Sequence, residues 1–179
     1  MSYLEPPQES DPAVAALYAA DRERLGYVAN YTQALAHRPA AIAAWQGLNA
    51  AVKSTMDLRR YELATLAAAR RLGSDYCTLA HTQVLRDRFY DEAGLRRIAE
   101  DRHAALPPAD AAVMDFAERV AGDPNGITAA DVEALRGHGL SDPEILDVAL
   151  TAAARCFFST VIAAMGAEPD PALRAAPTP

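Results

Sequence analysis

The chain has 179 residues, of which 51% are hydrophobic and only 7% aromatic, enough for one domain with a core of alanine, leucine and valine. Seventeen lysines and arginines against 24 acidic residues give a formal net charge of −7, which opposes non-specific binding to nucleic acid. Two cysteines far apart in the chain suit a reducing compartment rather than a disulfide framework.

In chain order, a short extension over 1–10 precedes a helical domain over 11–170, and 171–179 form a tail. The start MSYLEPPQESDPAV lacks the basic, apolar and cleavage regions of a secretory signal, so the cytoplasm is the default. The helical period recurs and strand alternation does not, which makes the fold class all-α. Helices are predicted over 11–25, 27–36, 39–53, 57–72, 75–89, 91–101, 108–121, 129–136 and 142–165. Gly26, the run 122–126 and the run 139–141 are the loops between them. Thr128 is an N-cap for the eighth helix, and Ser141 with Glu144 makes a capping box for the ninth. The tail PDPALRAAPTP is expected to be loose or to clasp a partner. No run of about eighteen uncharged apolar residues suggests a membrane span. A faint echo between YELATLAAARR and PEILDVALTAAAR is compatible with two related helical halves.

Chemistry concentrates in ELATLAAARRLGSDYCTLAH, residues 62–81. Leu63, Leu66, Ala67, Ala68 and Leu72 form an apolar stripe, and Gly73 terminates that helix. Ser74 takes the N-cap position of the next helix and Asp75 its first turn, which brings Cys77 close to unpaired backbone donors that favour a thiolate. His81 lies four residues on, on the same face, where an imidazole can take the thiol proton. Glu62, from the preceding antiparallel helix, can orient that imidazole, completing a set of nucleophile, base and orienter. Tyr76 lies about a hundred degrees around the helix from the thiol, so it lines a pocket or packs.

This segment resembles the family of alkylhydroperoxidase D and gamma-carboxymuconolactone decarboxylase. That family carries a glutamate, eleven residues, Cys-x-x-Cys, three residues and a histidine. Here the same spacing reads Glu62, Ser74-Asp75-Tyr76-Cys77, His81, with a serine in place of the first cysteine. His37-Arg38-Pro39 followed by AAIAAWQGLNAAV is similar to the family's lead-in helices, and HGLSDPEILDVALTAAARCFFSTVIAAMGAEPD to its closing pair, so the likeness runs from about Pro12 to Asp170. The resemblance implies an all-α bundle and a cofactor-free thiol peroxidase with Cys77, His81 and Glu62 as catalytic residues. It also implies assembly as trimers or dimers of trimers. Ser74 cannot resolve a sulfenic acid, so the return to thiol falls to an external thiol, a second chain or Cys156. Ser74 then caps the helix or donates to the thiolate, and Phe89-Tyr90, where relatives often have glycine, would reshape the pocket. The resemblance equally implies the alternative of a decarboxylase or lactone-processing enzyme acting through His81 and Glu62, or a non-catalytic oligomer.

Taken singly, each residue also has a plain role. Cys77 can pack a helix start, His81 can be a half-buried histidine with a backbone partner, and Glu62 can pair with Arg59 three residues before it. Cys156 sits in an apolar run and reads first as core. His37 belongs to a connection, and His103 and His138 stand beside loops. No paired Cys-x-x-Cys or His-Glu-x-x-His, no phosphate-binding glycine loop and no nucleophile elbow occurs, so neither a metal nor a nucleotide cofactor is implied. Trp45, Phe157 and Phe158 are expected in core, pocket wall or subunit interface. Apolar helices such as AAWQGLNAAV bury more face than one subunit can cover, which also favours association.

Overall fold

The computed structural model describes residues 2–174, and the secondary structure within that span is helical. The helices are α1 (Pro12–Leu25), α2 (Asn30–Leu35), α3 (Pro39–Thr55), α4 (Leu58–Arg71), α5 (Asp75–Arg88), α6 (Glu92–Glu100), α7 (Arg102–Ala105), α8 (Pro108–Gly122), α9 (Ala129–Gly137), α10 (Asp142–Ala164) and α11 (Pro171–Arg174). The all-α class and the single domain follow.

Helix α4 is the centre. Every residue from Tyr61 to Ala69 is buried, because the helix packs against α8, α5 and α10 together. Its small Ala64, Ala67, Ala68 and Ala69 allow that close approach on several sides, while Leu63 and Leu66 fill the space between. The main core runs from α4 through Leu85 of α5 to Met114 and Phe116 of α8 and Val148 of α10. A second, smaller cluster gathers Ala69, Tyr76, Cys77, Phe158 and Ile162, with Tyr31 and Trp45 against it. Cys77 is thus buried within the smaller apolar cluster.

Gly73 ends the α4 turn at φ +64, the left-handed conformation that favours glycine. Ser74 N donates to Ala69 O across that turn at 3.0 Å, and α5 then runs back along α4. Ser141 and Glu144 form the capping box expected at the start of α10, with Ser141 N donating to Glu144 Oε2 at 2.8 Å.

Helix α2 is shorter than the predicted 27–36. Gly26 turns at φ +82, and the donors at the α2 start go to distant carboxylates instead of local carbonyls. Ala29 N donates to Asp21 Oδ2 at 3.0 Å and Asn30 N to Asp170 Oδ1 at 2.8 Å. Two short helices were not expected. Asp101 opens α7 by accepting from His103 N and Ala104 N, and α11 follows Asp170, which is buried. The near half of the tail is therefore held within the chain rather than loose; residues 175–179 lie outside the described span. Helix α10 is long and apolar enough, by length and composition, to cross a membrane. Here its buried face packs against α8, α4 and α3.

Candidate active site

The α4–α5 turn places the segment's groups around one cavity of about 840 Å³, bounded by α1, α2, α3, α4, α5 and α10. Cys77 and His81 both line it. Glu62 stands behind His81, with only 2% of its side chain exposed, and the Nδ1 of His81 lies 2.5 Å from Glu62 Oε2.

Burial first, and then the positive charge of Arg155, push the His81 imidazole down from 6.5 to about 4, against the opposing pull of Glu62. At neutral pH His81 is therefore uncharged. Its Nδ1–H donates to the carboxylate, which leaves Nε2 as a free acceptor on a cavity-lining side chain. Burial acts to raise the Glu62 carboxyl, but the hydrogen bond from His81 and the charges of Lys53 and Arg155 hold it below its ordinary range. Lys53 Nζ lies 3.6 Å from Glu62 Oε1. The plain alternative for Glu62, an ion pair with Arg59, does not form. Arg59 reaches Asp110 at 2.6 Å and the Tyr90 hydroxyl at 3.0 Å instead.

The Cys77 sulfur has two donors, neither of them expected from the sequence. Arg155 Nη1 donates to Sγ at 3.3 Å and Ser159 Oγ at 3.2 Å, and both side chains are buried on α10. A guanidinium and a hydroxyl aimed at one sulfur fix its position in the cavity wall. Cys77 and His81 share the cavity without a direct hydrogen bond. A proton passing between them needs a bridging water or the substrate itself. Arg155 and Ser159 did leave a trace in the sequence. A lone arginine inside ALTAAARCFFSTVIAAMG is a charge on an apolar helix, and Ser159 lies four residues on, on the same face.

The remaining candidates separate. Ser74 occupies the N-cap position, yet its side chain makes no cap hydrogen bond, and it lines a different depression, beside Tyr3 and Arg174. It neither caps the helix through its hydroxyl nor donates to Cys77. Tyr76 packs edge-on against Tyr31 with ring centres 5.9 Å apart, and its hydroxyl donates to Asp170. Burial, reinforced by that carboxylate, pushes its phenol upward, so Tyr76 lines and braces the cavity. Cys156 is half-buried, burial pushes its thiol up, and it does not line the cavity. Phe89 and Tyr90 lie outside the cavity wall as well. Trp45 and Phe158 stack with centroids 4.2 Å apart and form part of that wall, whereas Phe157 is 51% exposed. His37 Nε2 is 3.0 Å from Glu5 O, and His103 pairs with Asp115. Among the described residues no group of three or more His, Cys, Asp or Glu side chains gathers to hold a metal ion.

No protein-family model matches the chain, and no curated protein matches it by sequence. Solved structures do. One is the alkylhydroperoxidase AhpD core of an uncharacterized peroxidase-related protein from Ralstonia eutropha JMP134, at TM-score 0.84 and 24% identity over 96% of this chain and 94% of that one. Another is an uncharacterized peroxidase-related protein from Silicibacter sp. TM1040, at TM-score 0.82 and 21% identity over 97% and 94%. A third is a cysteine-to-alanine variant of the debrominase Bmp8 in complex with 2,3,4-tribromopyrrole, at TM-score 0.79 and 18% identity over 96% and 93%.

Proposed function

We propose, from the alkylhydroperoxidase D fold that this chain shares with those structures, that it is a thiol-dependent peroxidase working through Cys77, His81 and Glu62. One observation carries the proposal. A sulfur with an arginine and a serine donor shares its cavity with an imidazole whose Nε2 is free and whose Nδ1 is fixed by a buried carboxylate.

In the reaction, the Cys77 proton passes through a bridging water to Nε2 of His81, and the thiolate attacks the terminal oxygen of the hydroperoxide. The S–O bond forms as the O–O bond breaks. The departing alkoxide takes the proton back from His81 and leaves as the alcohol, with Cys77 oxidised to a sulfenic acid. Arg155 and Ser159 hold the sulfur and stabilise its negative charge before attack. With Ser74 unable to resolve, an external thiol condenses with the sulfenic acid, releasing water, and a second equivalent restores Cys77 and leaves as the disulfide. The scheme uses no metal or organic cofactor. We place the protein in the cytoplasm, as a homo-oligomer.

The test is mass spectrometry of the reduced protein after brief exposure to stoichiometric cumene hydroperoxide with dimedone present. Cys77 is expected to be labelled selectively, with the rate falling about a hundredfold in His81→Ala. An inert Cys77 would overturn the proposal and return the field to acid and base chemistry by His81 and Glu62, which unlike peroxide reduction survives Cys77→Ser. A second reading, reductive removal of a halogen from an aromatic ring, has support in the likeness to a debrominase bound to 2,3,4-tribromopyrrole and in the stacked Trp45–Phe158 wall. Release of bromide from tribromopyrrole in the presence of a small thiol, lost in Cys77→Ser, would favour it over peroxide reduction.

A further inference from the structure

Arg155 is only partly used by the sulfur. One terminal nitrogen donates to Cys77, while Nε is buried and has no hydrogen-bond partner, on a side chain that is 4% exposed and lines the cavity. A buried guanidinium N–H left unpaired is costly, and a group that accepts from it inside the cavity removes that cost. The other charges on the wall leave the cationic character standing. Asp21 is taken up by Arg24 at 2.7 Å and by Ala29 N, Glu62 by His81 and Lys53, and His81 is neutral at pH 7. Lys53 lines the same wall with its side chain 42% exposed, but its charge is shared with Glu62, as that of Arg24 is with Asp21, so Arg155 is the wall cation without a carboxylate partner.

Opposite polar character comes from the aromatic side of the cavity. Phe158 stacks on Trp45, and Tyr31 meets Phe158 edge-on at 5.3 Å. The Arg155 guanidinium lies over the Phe158 ring at 5.3 Å and over Trp45 at 5.9 Å. An apolar flat surface that ends at a buried cation with a spare donor fits one kind of ligand: a planar ring carrying a single negative charge.

We infer that the cavity selects aromatic substrates bearing one anionic group, a carboxylate or comparable oxyanion, with the ring against Trp45 and Phe158 and the anion accepting from the Arg155 guanidinium. This deepens the proposed function and rests on the same cavity. It makes Arg155 a specificity residue as well as a donor to sulfur, and it places the charged end of the ligand beside Cys77.

The test uses benzoate as the probe and benzyl alcohol as its uncharged counterpart. Trp45 is the single tryptophan and forms part of the wall, so fluorescence excited at about 295 nm reports occupancy directly. Titrations are made on the Cys77→Ser protein, which keeps the cavity and cannot be oxidised there. Benzoate is expected to change Trp45 emission saturably and to bind at least about tenfold more tightly than benzyl alcohol, as a charge-assisted hydrogen bond to a buried donor requires. Lys53→Gln is expected to weaken benzoate by a smaller factor, since Lys53 is half exposed, and Arg155→Gln to abolish the preference. Circular dichroism shows whether Arg155→Gln folds, and the Lys53→Gln comparison stands if it does not. Equal binding of the two probes, or no saturable change with benzoate, overturns the inference. Because the titration needs no reactive thiol, its failure is distinct from failure of dimedone labelling at Cys77.

Discussion

At the residue scale the site turns on where the His81 proton goes. With the imidazole pushed down to about 4, the free base persists well below pH 6.5, so the acid limb of Cys77 oxidation by hydroperoxide is expected near pH 4, measured as dimedone labelling rate against pH. A limb at 6.5 would place His81 in water rather than in the fold. Stability carries the same sign. The unfolded imidazole takes up a proton below 6.5 that the folded one refuses until about 4, so stability declines as pH falls through that window. Glu62, held below its ordinary value, adds a loss in the same direction at lower pH. Thermal melts at pH 7, 5.5 and 4.5 are expected to show the decline, and His81→Gln to flatten its upper part. Glu62, Cys77 and His81 were legible because their spacing alone brings them to facing turns of two helices. Arg155 and Ser159 left only the hint of a charge and a hydroxyl on an apolar helix, since they lie about eighty residues away on α10 and only tertiary packing brings them to the sulfur.

At the element scale the α4–α5 turn decides whether the set exists at all. Gly73 has open space where a Cβ would stand but a backbone at φ +64. Gly73→Ala is therefore expected to destabilise by about 1–2 kcal/mol through conformation alone, read by urea denaturation, and by less if the turn relaxes. Helix ends marked by their own neighbours, such as Gly73 or the Ser141–Glu144 box, were readable from the sequence. Helix α2 was misjudged at its start because Asp21 and Asp170 supply the acceptors, and a carboxylate about 140 residues away leaves no local signal. The α11 turn was missed for the same reason: it is held by what Asp170 grips, not by an apolar period of its own.

At the scale of the whole molecule, α3 stands out as an apolar helix with only Ile42 and Val52 buried. Leu48 on that helix is 43% exposed, and other residues of α3 form part of the cavity wall. A second copy covering this face would seal the cavity and remove apolar surface from water. Sedimentation velocity is expected to give a mass several times that of one chain, and Leu48→Glu to shift it toward the monomer; a wild-type monomer at high concentration would contradict the assembly. The tail adds a property of another kind. Asp170 accepts from both the buried Tyr76 hydroxyl and Asn30 N, so it fastens α5, next to the thiol, to the start of α2. A protease that trimmed the chain back past this carboxylate would strip the acceptor from a buried phenol and from a helix start, each loss amounting to roughly 1–3 kcal/mol. Nicking that would be silent on a free end becomes damage to the cavity wall, and an intact C-terminal mass is the standard by which any preparation of this protein should be judged.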